Sequence, residues 1–116
     1  MMSRRKSIRW LGSSFRDLGR LPQKAREEIG DQLRNVQIGL QPVNWKPVKT
    51  IGTGVQEIRV RVSRSIFRLV YLAKFSDYIC VLHVFQKKSQ QTARRDIAIA
   101  RRRFQALVME RRTEEK

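Results

Sequence analysis

Acid is what this chain of 116 residues most lacks: ten Asp and Glu stand against 26 Lys and Arg, for a formal net charge of +16. A surplus of that size leaves the fold open. It points to a polyanionic partner, nucleic acid first, with an acidic protein or a membrane surface as competitors. Cysteine is nearly absent. Cys80 stands alone, so no internal disulfide can form, which fits a reducing cytoplasm. No apolar run approaches the ~18–20 residues of a membrane-spanning helix. The basic start, MMSRRKSIRWLG, lacks the apolar stretch of a signal peptide. Histidine occurs once, as His83, and no CxxC, Walker-type or GxGxxG pattern is present. The acids, at Asp17, Glu27, Glu28, Asp31, Glu57, Asp77, Asp96, Glu110, Glu114 and Glu115, show no paired-carboxylate spacing of the kind a two-metal nuclease uses. Neither metal nor cofactor is expected.

What is present suffices for one domain over residues 1–116, with a core at about 8–108 between a basic N-terminal and a charged C-terminal tail. Residues 6–12 read as a short strand. Ser13 and Ser14 offer N-caps to a short helix with Asp17 in its first turn. Pro22 opens a second helix whose apolar residues Ala25, Ile29, Leu33, Val36 and Leu40 recur every three or four positions, with Gly39 as its stop. Pro42, Pro47, Gly52 and Gly54 punctuate a connection, in which GTG reads as turn chemistry. Three strand-like runs follow at 56–63, 66–74 and 78–86, close enough for an antiparallel meander. A last helix, capped by Thr92, carries Ile97, Ala100, Phe104, Leu107 and Val108 on one face and arginines on the other. Trp10 and Trp45 read as packing residues, and Cys80 as buried and inert. The expected fold is α+β, with two N-terminal helices on one face of a small twisted antiparallel sheet and a C-terminal helix.

The segment RVRVSRSIFRLVY raises a question of charge, because arginine fills four of its polar positions. In a strand, Ile58, Val60 and Val62 share one face while Glu57, Arg59 and Arg61 share the other. With Arg64 and Ser65 as a two-residue turn, Arg61 lies opposite Arg68, and Ile58, Val60 and Val62 face Tyr71, Leu69 and Phe67. Like charges directly opposite destabilise a sheet, where a good cross-strand pair contributes roughly 0.2–1 kcal/mol. Arg59, Arg61 and Arg68 on an exposed face are therefore either splayed into solvent or placed to hold an anion, and two forked guanidiniums suit a phosphate. A tight link at Ser76 and Asp77 sets Phe85 opposite Arg68 and His83 opposite Val70. His83, Phe85 and Lys87 then join the arginine face, with Lys88 at the strand end. An aromatic beside clustered cations suits base stacking with phosphate contact, although ordinary packing also explains Phe85. His83 reads first as a satisfied structural histidine.

The stretches LGRLPQKAREEIGDQLRNVQIGLQP, KPVKTIGTGVQEIRVR, FRLVYLAKFSDYICVLHVFQKKSQQT and RDIAIARRRF resemble the phage-derived branch of the RelE/HigB toxin superfamily, over roughly residues 8–108. The run VLHVFQKKSQQT is specific to that branch. The resemblance implies a RelE/ParE-like fold and the toxin of a type II toxin–antitoxin pair in a prokaryotic cytoplasm. It implies a metal-independent mRNA interferase, commonly ribosome-dependent, in which the 2′-hydroxyl attacks the adjacent phosphate. Carried over by motif, Arg59, Arg61, Arg68, Lys87 and Lys88 become the catalytic set, with Arg68 on the scissile phosphate and Lys87 or Lys88 in proton transfer. Phe85, His83, Arg94 and Arg95 become RNA-binding residues. Some relatives place a Tyr or a His–Asp pair near the C-terminus for proton transfer, and this chain has no Tyr after Tyr78 and no His after His83. The implied partners are mRNA on the ribosome and an antitoxin with a helix-turn-helix domain, through which alone promoter DNA is bound. A ParE-like gyrase inhibitor and a non-catalytic nucleic-acid-binding module are the competing readings.

Overall fold

A computed structural model describes residues 5–75, 77–88 and 90–114, the side chains of residues 90–92 and 114 excepted. In chain order the elements are β1 (Ser7–Trp10), α1 (Ser14–Gly19), α2 (Gln23–Gln37), β2 (Trp45–Pro47), β3 (Val55–Val62), β4 (Ser65–Leu72), β5 (Tyr78–Lys87) and α3 (Gln90–Glu114). The five strands form one sheet in the order β1-β5-β4-β3-β2. The meander β3-β4-β5 is antiparallel, as is β2 on β3. β1, however, lies parallel to β5, with Ser7 against Tyr78, so the sheet is mixed rather than wholly antiparallel. Four residues carry too little pattern to reveal which strand they pair with, or in which direction. The three-residue β2, inside a stretch that reads as a connection, is an addition for the same reason.

Helices cover both faces. On one, Ala25, Ile29, Leu33 and Val36 of α2 are buried against Ile58, Val60, Phe67, Leu69, Tyr71 and Val81, with Leu18 and Leu21 packed alongside. The helix stops at Gly39, whose φ of +89° suits a residue without Cβ. Leu40 lies beyond that stop and is exposed, not part of the apolar stripe. On the other face, Ala100 and Leu107 of α3 are buried with Val55, Val70, Leu72, Cys80 and Leu82, and Ile97 and Phe104 pack against them. Ser13 holds the N-cap position of α1 without capping it: its hydroxyl donates to Asp17 Oδ2 at 2.7 Å, and Ser14 Oγ donates to the Val81 carbonyl. The capping role expected of Thr92 lies outside the described side chains.

Two register features set the site. The β3–β4 turn uses Ser63 and Arg64, with Ser63 at φ +56°, so Val62 pairs Ser65 and Arg59 pairs Arg68. The expected pairing of Arg61 with Arg68 is off by two residues. A slip of two keeps every side chain on its face, so the apolar and arginine faces survive while the opposed pair changes. Between β4 and β5, Arg68 pairs Phe85 and Val70 pairs His83 as expected, and then Tyr71 pairs Val81. Leu82 is the extra residue of a bulge, which breaks strict alternation and puts Leu82 and His83 on the α3 side together.

Candidate active site

Counting across the strands, the α3-facing side carries three successive rows. Lys46, Glu57, Val70 and His83 form the first; Arg59, Arg68 and Phe85 the second; Arg61, Ile66 and Lys87 the third. α3 covers the first row and leaves the third at the open end.

The arginines are not uncompensated. Glu57 Oε1 lies 3.4 Å from Arg68, 3.7 Å from Lys46 Nζ and 3.8 Å from Arg59 Nε. Alternation shows that Glu57 shares their face, but not that only 3% of it is exposed. Arg68, read from sequence as exposed, is itself buried at 8%. The ion pairs are wider than hydrogen bonds. Glu57 Oε1, Arg59 Nε and Arg68 Nε are all buried without a hydrogen-bond partner among the described residues. Three cations around one carboxylate therefore leave a positive surplus and unsatisfied donors, the condition under which a bound anion is stabilised.

Beside this cluster, His83 donates from Nε2 to Asp96 Oδ1 at 2.7 Å. The direction follows from the other nitrogen. Nδ1 lies 3.4 Å from a terminal nitrogen of Arg103, and a guanidinium can only donate. Nδ1 faces that donor as an acceptor, and the Nε2 proton points at the carboxylate, which can only accept. Arg103 is fixed in turn by donating to the carbonyl of the bulge residue Leu82 at 2.9 Å and to Ser13 Oγ at 3.1 Å. Burial pulls its pKa below the ordinary arginine value. Gly12 makes room for it: a Cβ there would stand 2.5 Å from Arg103 Nε. The His83 ring stacks on Phe85 with centroids 5.2 Å apart and planes inclined by 20°.

Between these groups, the β2–β3 connection and α3 lies a cleft of about 360 Å³, whose polar lining includes Lys46, Lys49, Glu57, Arg68 and Asp96, with Phe85 among its apolar walls. Of the residues singled out from sequence, Arg68 and Phe85 line this cleft, while Arg59 and His83 stand beside it, Arg59 paired with Arg68 and His83 stacked on Phe85. His83 is buried and Phe85 half-buried, rather than both lying on an open face. Arg61 and Lys87 stand one row away, exposed, with Lys88 just past the strand and Arg94 and Arg95 exposed on the first turns of α3. Sequence reasoning missed Lys46, Glu57, Asp96 and Arg103. One signal was available for Asp96, the lone acid between Asp77 and Glu110 in a run of arginines. Among the described residues, no three His, Cys, Asp or Glu side chains converge as metal ligands.

A small α+β sheet with a buried, cation-rich cleft between strands and C-terminal helix is thus the class that fold and site define. Residues 16–105 match the model of the family described as phage derived protein Gp49-like, and the chain belongs to that family. No curated protein and no solved structure matches it.

Proposed function

We propose that the protein is the toxin of a type II toxin–antitoxin pair and cleaves messenger RNA on the ribosome. The observation that carries this reading is Arg59 opposed directly to Arg68 across β3 and β4, with Phe85 completing the row. Both arginines keep a buried Nε–H unused among the described residues. The Gp49-like family membership and the resemblance to RelE/HigB toxins support the same reading.

In the proposed reaction the 2′-oxygen forms a bond to the adjacent phosphorus as the bond to the 5′-oxygen breaks. The products are a 2′,3′-cyclic phosphate and a 5′-hydroxyl. Arg68 and Arg59 hold the phosphate and stabilise the negative charge that grows on its oxygens in the transition state. Glu57 keeps the two guanidiniums from repelling each other, and the incoming phosphate takes the hydrogen bonds Glu57 leaves open. One proton leaves the 2′-hydroxyl and one reaches the 5′-oxygen. Lys87 or Lys88 carries them, Lys87 standing one row from Arg68 on the same face. Arg61, Arg94 and Arg95 line the approach with positive charge. A neighbouring gene supplies the antitoxin, a partner with acidic surface and a helix-turn-helix domain. Exposed Ile38, Leu40 and Val43 after α2 give it an apolar foothold.

Primer extension on cellular messages after induction tests the reading. Discrete cuts within coding regions are expected, relieved by co-expression of the adjacent open reading frame. DNA breaks with intact messages would instead mean gyrase inhibition, and the absence of both would leave a plain nucleic-acid-binding protein.

A further inference from the structure

Asp96 has a free hand that the proposed cleavage does not use. It is only 8% exposed, it lines the cleft, and Oδ1 is taken by His83. Oδ2 is buried with no hydrogen-bond partner among the described residues. A buried carboxylate oxygen left unpaired costs more than almost any other polar group, so its position asks for a donor that arrives from outside. Phe85, stacked on His83, offers the same cleft an aromatic edge, and Arg68 on its lining, with Arg59 paired beside it, offers a phosphate site.

We infer that the cleft is a nucleobase pocket in which Asp96 Oδ2 accepts a hydrogen bond from the exocyclic amino group of an RNA base. The inference rests on the RNA-cleaving reading above and adds its specificity. Cytosine and adenine present such an amino group on their pairing edge. Uracil and hypoxanthine put a carbonyl oxygen in its place, whose lone pairs a carboxylate repels. The pocket therefore prefers amino-bearing bases to their keto counterparts. Arg103 makes this preference rigid. It faces His83 Nδ1 as a donor while His83 Nε2 donates to Asp96 Oδ1, which leaves Oδ2 as the carboxylate oxygen without a partner among the described residues.

The same chain of donors predicts the effect of one isosteric change. In Asp96→Asn the amide oxygen must face His83, which leaves the amide N–H₂ where Oδ2 stood. An acceptor becomes a donor with no change of shape, and the preference should turn over toward keto bases.

The test measures binding of four 2′-O-methyl hexanucleotides, of adenosine, inosine, cytidine and uridine, by fluorescence anisotropy at low salt. The methyl group blocks the attacking oxygen, so recognition is read apart from cleavage. Wild type should bind the adenosine oligomer over the inosine one, and the cytidine over the uridine one, each by about tenfold, the effect of one charge-assisted hydrogen bond. D96N should bind inosine and uridine better than their partners. Equal binding within both pairs by wild type, or no binding of any of the four, overturns the inference even where messages are cut in cells. So does a folded D96N that keeps the wild-type order. Wild-type discrimination without any cleavage of messages would sustain the pocket and overturn the interferase reading instead. If D96N does not fold by circular dichroism, the wild-type pairs decide alone.

Discussion

Replacing Glu57 by Gln removes the one carboxylate among Lys46, Arg59 and Arg68 while keeping its shape. At the 3.4 Å separation from Arg68 and an effective dielectric of about 20, the lost attraction is roughly 5 kcal/mol. Lys46 and Arg59 add little, because their side chains are 49% and 33% exposed and water screens them. Against the loss stands the several kcal/mol that burying a carboxylate costs, which Gln largely escapes. The net destabilisation should be about 2–3 kcal/mol. For a chain of this length one kcal/mol moves the melting temperature by roughly 4 °C, so E57Q should melt about 8–12 °C below wild type by differential scanning calorimetry. The cation cluster left behind is also a better anion site. Inorganic phosphate at tens of millimolar should raise the E57Q melting temperature by more than it raises that of wild type, since a ligand bound only by the folded state stabilises it by mass action. A variant that melts within about 2 °C of wild type, or that phosphate helps no more than wild type, would mean that Glu57 does not hold these cations together.

Three further changes probe other parts of the molecule. Under the proposed cleavage, Arg68→Lys keeps a charge beside Glu57, so it should melt within a few degrees of wild type yet leave messages uncut, because a point charge cannot replace the fork on a phosphate. Arg68→Ala is the poorer test, since it strips Glu57 of its nearest cation and changes stability as well. Burial pushes the Tyr71 phenol well above its ordinary value. The folded state therefore holds its proton longer than the unfolded chain, and the stability this brings is whole below about pH 10 and lost as pH rises beyond it. Melting curves from pH 8 to 11 should show that decline in wild type and less of it in Tyr71→Phe, which starts lower for want of the 2.7 Å hydrogen bond to Gln56. Gly12→Ala should cost about 1–2 kcal/mol for its left-handed backbone alone, and more because its methyl displaces Arg103. The ¹⁵N shifts of His83 should then report a loosened tautomer.

Strand alternation by itself determined which residues of the β3–β4 hairpin share a face, and that assignment was robust. The turn forms at Ser63 and Arg64 rather than one residue later, yet a slip of two cannot change a side chain's face. The same parity brought Phe85 opposite Arg68. Helical spacing likewise marked the buried stripes of α2 and α3. These signals are local: each depends on neighbours within a turn or a pleat. Which face α3 would cover is not local, and it converted an arginine surface into a cleft, burying Arg68 and Glu57. The bulge at Leu82 is a second such decision, since it shifts the parity of β5 and supplies the carbonyl that anchors Arg103. His83, Asp96 and Arg103 sit on two elements, and nothing in their own segments marks them as partners. Their meeting depends on the summed packing of helix on sheet, a long-range balance that no short window of sequence carries.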